Sequence, residues 1–334
     1  MELTSAIGAM MLAGASLAAS GGPQMLPTTF EAGHFYAAPE TVDGQKLRLL
    51  VDTGGGGNMG LYWLSSKAAQ RLHLTTHPCS LPGATVTVAD LPQYKPGHGL
   101  PSPLPGGPCG QTVSVPQNAP NDGDGQLGAS YLMARVWTFD YPGQRLSLED
   151  TSWHSDSSMH AAPLGFLRNE QGYVETGFPR ITIHIDGQPI DMLLDTGATA
   201  HPTAAGESSS GTPTVNGFGV TSYITTSMLE HWHKTHPAWR VVKNGDDLSA
   251  HFQSRLIEVP VVEIAGWQVG PLWFTEQPDQ AFHSYMAQWM DKATDGALGG
   301  NAFAHFVMTL DYPHSTAYFR CAVNCKLATP PPAP

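Results

Sequence analysis

The sequence predicts an all-β chain of two lobes, with a few short helices. Three observations carry that expectation. First, a phrase of turn, apolar strand and Asp-Thr-Gly occurs twice. Asp43-Gly44-Gln45 leads through Leu47, Leu49, Leu50 and Val51 to Asp52-Thr53-Gly54, and Asp186-Gly187-Gln188 leads through Ile190, Met192, Leu193 and Leu194 to Asp195-Thr196-Gly197. The copies keep a constant separation of 143 residues. Second, two later echoes share a separation of 171 residues. They pair Asp124-Gly125-Gln126-Leu127-Gly128 with Asp295-Gly296-Ala297-Leu298-Gly299, and Phe139-Asp140-Tyr141-Pro142 with Leu310-Asp311-Tyr312-Pro313. Collinear echoes of this kind mark an internal repeat. Third, 36 glycines and 28 prolines among 334 residues demand many turns and leave little room for long helices.

In chain order, residues 6–19 are apolar and rich in small side chains, with cleavage-like sites at Ser16-Leu17-Ala18 and Ala18-Ala19-Ser20. Residues 1–20 are therefore read as a secretory signal peptide, although Glu2 and no Lys or Arg precedes the apolar run. The first lobe is assigned to 29–150. It opens with an entry strand and turn over 29–42 and a strand over 46–51. The glycines of 54–57 permit unusual backbone angles or close approach. Helical spacing of Leu64, Ala68, Ala69 and Leu72 predicts a short helix within 63–74, capped by Ser65 or Ser66. Alternation at Val86 and Val88, and again at Val113 and Val115, predicts two strands. A short helix is expected within 127–132, and a hairpin turns around Tyr141-Pro142-Gly143.

The polar stretch 151–177 is assigned as the inter-lobe connection. The second lobe, 178–322, repeats the order: a strand over 180–185, the second aspartate strand, a Gly/Ser/Thr-rich loop over 201–217, and a helix over 226–236. Strands follow over 257–264 and 271–274, with a last strand pair around Asp311-Tyr312-Pro313. Trp63-Leu64-Ser65-Ser66 aligns with Tyr223-Ile224-Thr225-Thr226, which places much of the second lobe's extra length in 201–217. A proline-rich disordered tail is expected over 326–334.

Charged residues make up only 13% and the net charge is −12. No basic cluster is present to bind phosphates, which speaks against nucleic acid. No later stretch is long and apolar enough for a membrane helix. Four cysteines fit an oxidising compartment: Cys79 and Cys109 bracket a Pro/Gly-rich loop, and Cys321 and Cys325 lie close together. None has zinc-site spacing, so all four are disulfide candidates. Together with the signal, they predict export to a periplasm or to the exterior.

A strand ending in Asp-Thr-Gly, with an apolar-Gly element later in the same lobe, resembles the aspartic proteases. Leu193-Leu194-Asp195-Thr196-Gly197-Ala198 and Leu50-Val51-Asp52-Thr53-Gly54 match the retropepsin-like family, and Leu127-Gly128 and Leu298-Gly299 fall where that family has its apolar-Gly motif. The resemblance covers roughly 30–322 and implies a fused, pepsin-like chain of two β-barrel lobes. It implies catalysis by Asp52 and Asp195, with Thr53 and Thr196 locking the two loops and Gly54 and Gly197 admitting backbone N–H groups to the carboxylates. Two like charges about 3 Å apart cannot both ionise, so the pair shares one proton. One carboxylate then activates water while its protonated partner polarises the peptide carbonyl.

The implied activity is that of an aspartic endopeptidase on a peptide or protein substrate, working as a monomer with no metal or cofactor. The chain departs from the pepsin-like pattern after each Asp-Thr-Gly, where Gly55 and Ala198 stand in place of a hydroxyl-bearing residue. With that support for the anion missing, activity is expected in a mildly acidic range, on the order of pH 4–6. Tyr94, Gly97 and Gly99 mark a candidate substrate-covering flap. The competing expectation is a non-catalytic peptide-binding protein on the same fold. A metal enzyme finds little support, because His231, His233 and His236 do not share a helix face and no His-Glu-x-x-His occurs.

Overall fold

The computed structural model describes residues 22–56, 60–81, 84–104, 107–117, 123–249 and 251–328, so the segment read as a signal peptide lies outside them. Among the described residues the chain is mostly strand with a few short helices, and it forms two lobes joined by a shared sheet. The joint is built from the two Asp-Tyr-Pro echoes. Each makes a hairpin, Val136–Asp140 with Arg145–Leu148 and Phe306–Asp311 with Thr316–Cys321. The first strands of the two hairpins then pair antiparallel, with Thr138 opposite Thr309. Those two hydroxyls bond at 2.8 Å across 171 residues of sequence, the spacing of the echoes themselves. A local two-fold relation between the halves passes through this contact. Period-2 alternation sets the faces: Trp137 and Phe139 are buried and their neighbours are half-buried.

In each lobe the aspartate strand lies at the centre. Leu49–Val51 runs parallel to Gly125–Leu127, which pairs in turn with Trp63–Leu64. In the second lobe Gln188–Leu194 runs parallel to Gly296–Leu298, which pairs with Ser222–Thr225. The helices expected after Trp63-Leu64 and Tyr223-Ile224 form over Ser66–Arg71 and Thr226–Thr235. Ser65 caps the first, its Oγ accepting the Ala68 N–H at 3.2 Å.

Several elements differ from expectation. Neither lobe closes into a barrel among the described residues. The first-lobe sheet ends on Thr28–Glu31 at one edge and Thr76–Leu81 at the other, and these do not meet. Pro78 in the latter strand cannot donate to a further neighbour, so an edge position suits it. The connection 151–177 contains a strand, His160–Gly165, which pairs with both Thr316–Cys321 and Arg180–Ile185. It fastens the second lobe to the shared sheet. The loop expected over 201–217 holds a helix, Ala204–Ser210, capped by Thr203 and closed by Gly211 in the left-handed region. Of the tail expected from 326, Lys326–Leu327 pairs with Trp267–Val269; residues from 329 onward lie outside the described ones.

Cys79 is bonded to Cys109 and Cys321 to Cys325. No helix among the described residues is long and apolar enough to cross a membrane. The two bridges close loops of very different length, with sequence separations of 30 and 4. In a chain-entropy account the longer loop contributes about 3–4 kcal/mol and the shorter about 2 kcal/mol. Replacing Cys79 and Cys109 together by Ala is expected to lower the unfolding free energy in guanidinium by about that larger amount, and by more than the same change at Cys321 and Cys325. The reverse ranking would contradict it.

Candidate active site

The two Asp-Thr-Gly turns meet at the floor of the cleft between the lobes. Each leaves its strand held by the downstream Leu-Gly element: the Asp52 N–H donates to Leu127 O at 3.0 Å and the Asp195 N–H to Leu298 O at 2.9 Å. Below the carboxylates the threonines bond reciprocally. The Thr53 N–H donates to Thr196 Oγ1 at 3.1 Å and the Thr196 N–H to Thr53 Oγ1 at 3.0 Å. Thr53 Oγ1 donates across the lobes to Leu194 O at 2.6 Å, and Thr196 Oγ1 donates to Val51 O at 2.8 Å. Both threonines are fully buried, so these four bonds are shielded from water.

The glycines after them leave room for the opposing carboxylate. A Cβ on Gly54 would overlap the Asp195 carboxyl, and one on Gly197 would overlap that of Asp52. The Gly54 N–H donates to Asp52 Oδ1 and the Gly197 N–H to Asp195 Oδ1, each at 2.9 Å. Burial, then the charge and hydrogen bond of Asp195, push the Asp52 carboxyl well above the usual carboxylate range. Burial also raises Asp195, opposed by its hydrogen bond to Asp52 and by the N–H groups of Gly197, Gly54 and Ala198. The pair is thus held where it keeps one proton between two oxygen-rich groups.

A cavity of about 610 Å³ adjoins the pair. First-lobe residues Glu31, His34, Arg48, Leu50, Trp63 and Gln126 line it, and second-lobe residues Thr199 and Phe218 face them. Arg48 pairs with Glu31 at 2.7 Å and lies over the Tyr36 ring. His34 is buried and reaches Thr199 Oγ1 at 3.3 Å, and burial lowers its pKa to about 4. The segment bearing Tyr94, Gly97 and Gly99 is tied down to the first lobe. Tyr94 bridges Thr41 and shares a 2.9 Å hydroxyl contact with Tyr62, while the His98 O accepts the Glu40 N–H at 3.0 Å. These three residues are not among those lining the cavity. His231, His233 and His236 lie on or at the end of Thr226–Thr235, and no three His, Cys, Asp or Glu among the described residues are grouped to hold a metal.

One contact revises the sequence expectation. Position 55 lacks a hydroxyl, yet the outer oxygen of Asp52 is not bare: Gln126 Nε2 donates to Asp52 Oδ2 at 2.8 Å. Sequence reasoning passed over Gln126. The available signal was the mismatch of Gln126 with Ala297 in otherwise matching echoes.

No protein-family model matches the chain, and no curated protein matches it. Among solved structures, basic 7S globulin from soybean aligns over 90% of this chain and 94% of its own, with a TM-score of 0.45 at 12% identity. Conglutin gamma, a unique basic 7S globulin from lupine seeds, aligns over 90% and 95%, with a TM-score of 0.43 at 12% identity. Likeness at that level says nothing of activity, and the site stands on its own geometry.

Removing the Thr53 hydroxyl would strand the buried Leu194 carbonyl and Thr196 N–H. Thr53→Ala is therefore expected to cost roughly 2–4 kcal/mol of unfolding free energy, and Thr53→Ser much less. Equal losses in the two variants would show that the hydroxyl bonds do not hold the lobes.

Proposed function

We propose that the chain is an aspartic endopeptidase in which Asp52 and Asp195 activate water against a peptide bond. The observation that carries this reading is the facing of two equivalent carboxylates, Asp195 buried and Asp52 half-buried. Each is close enough to the opposite turn that only glycine fits there, and both are raised above the ordinary carboxylate range. Such a pair offers a base and an acid at one place. The ionised member takes a proton from water, whose oxygen attacks the peptide carbon. The protonated member gives its proton to the carbonyl oxygen, forming a neutral tetrahedral diol. Collapse of the diol breaks the C–N bond as the aspartate that took the water's proton passes it to the leaving nitrogen and its partner takes back a proton from a diol hydroxyl, so the pair stays singly protonated and regains its starting arrangement.

The adjoining cavity suits an extended peptide, since it is open, mixed in character and shared by both lobes. Both aspartates come from one chain, so the proposed enzyme is a monomer. Two disulfides fit folding in an oxidising compartment, consistent with export. The second reading is a peptide-binding protein that does not cleave. It is favoured by Ala198 and Ala297, which give the outer face of Asp195 no side-chain donor of the kind Gln126 gives Asp52.

Incubation with a denatured protein and a peptide library, read by mass spectrometry, separates the two. Hydrolysis is expected at acid pH, at a rate per molecule unchanged by dilution. Asp52→Asn or Asp195→Asn should lower it by about 10³-fold, with little further loss in the double variant. Peptide retention without cleavage, or cleavage that survives in either variant, would contradict the proposal.

A further inference from the structure

Gly55 and Gln126 are far apart in sequence and occupy one space. The strand Gly125–Leu127 puts Gln126 between Leu50 on one neighbouring strand and Trp63 on the other, and all three side chains line the cleft. From there the amide reaches Asp52 Oδ2 at 2.8 Å, while Oδ1 accepts the Gly54 N–H at 2.9 Å. A Cβ built on Gly55 would overlap both the Gln126 amide nitrogen and the Asp52 carboxyl. Any side chain at position 55 would displace this amide. The second lobe has no such pair: Ala198 and Ala297 stand at the equivalent positions, and Asp195 is held by backbone N–H groups.

We propose that Gln126 is a positioning residue for Asp52. Its amide holds the outer carboxylate oxygen from the place a hydroxyl-bearing residue at 55 would take, and Gly55 is small so that it can. The contact fixes the carboxylate plane by a donor on each oxygen and supports its charge. It supplies on one lobe the support that the sequence around both Asp-Thr-Gly turns lacks. The inference rests on the hydrolytic reading for its consequence in catalysis, but the contact itself is testable without turnover.

Few other groups compete for the effect. Asp195 faces Asp52 directly, and the rim of the cavity carries Glu31, Arg48 and His34. Glu31 and Arg48 are paired to each other, and His34 is neutral above about pH 4. Burial, and then the charge of Asp52, raise the Tyr312 hydroxyl, so it stays neutral. Loss of the Gln126 donor removes support from the anion. The first ionisation of the pair then needs a higher pH, and the acidic limb of any pH profile moves up.

The test is a ¹³C NMR titration of the aspartate carboxyl carbons, run beside peptide cleavage across pH. Gln126→Met keeps bulk and removes the donor; Gln126→Ala also clears the space. Each is expected to raise the lower apparent pKa of the pair by about one unit. A packing defect alone would lower stability without moving this value in both variants. If the shift occurs in a protein that cleaves nothing, the contact stands and the hydrolytic reading fails. If the wild type cleaves peptides while the folded variants show neither a shift nor a moved acidic limb, the role assigned to Gln126 is overturned.

Discussion

Two carboxylates set against each other, Asp195 buried and Asp52 half-buried, are the constraint on which the rest of this chain depends. Left ionised, they would repel strongly in a medium that screens poorly. The fold tolerates them by letting the pair retain a proton and by supplying backbone N–H groups to the charge that remains. Those donors act only if the two turns cannot move apart. The reciprocal threonine bonds prevent that from below, and the parallel Leu-Gly strands hold each turn from behind.

The same relation between halves recurs at two levels. Thr53 meets Thr196 across 143 residues, and Thr138 meets Thr309 across 171. Residues equivalent in the repeat thus touch one another at both places, as they must near a local two-fold axis. The cleft departs from that symmetry. Gln126 and the Arg48–Glu31 pair line it from the first lobe, and Phe218 and Leu248 from the second.

Much of the architecture was legible because the repeat and the period-2 patterns are local signals. The aspartate strands, the Asp-Tyr-Pro hairpins and the helices after Trp63-Leu64 and Tyr223-Ile224 could be placed from them. Other elements carried no such signal. Thr76–Leu81 contains a proline and is largely exposed, so it shows no alternation and pairs along one edge only. Ala204–Ser210 is rich in Ser and Gly and depends on its Thr203 cap and on Gly206 packing against the backbone of Gly245. Gln126 was hidden for a different reason. Its meaning depends on an empty Cβ at Gly55, and that is a fact of space rather than of sequence order.

The central claim is that Asp52 and Asp195 form one titrating unit, and stability against pH measures this most directly. Both carboxyls are raised in the folded chain. Their contribution is therefore full below the unfolded value of about 3.9 and is lost as pH rises through the higher folded values. Denaturant unfolding of the wild type, Asp52→Asn and Asp195→Asn is compared from acid to neutral pH. The wild type is expected to lose stability relative to both variants as pH rises, because its folded pair holds a shared proton that the unfolded chain has released, and a lone carboxyl holds its proton less strongly. Parallel curves for all three proteins would contradict the account.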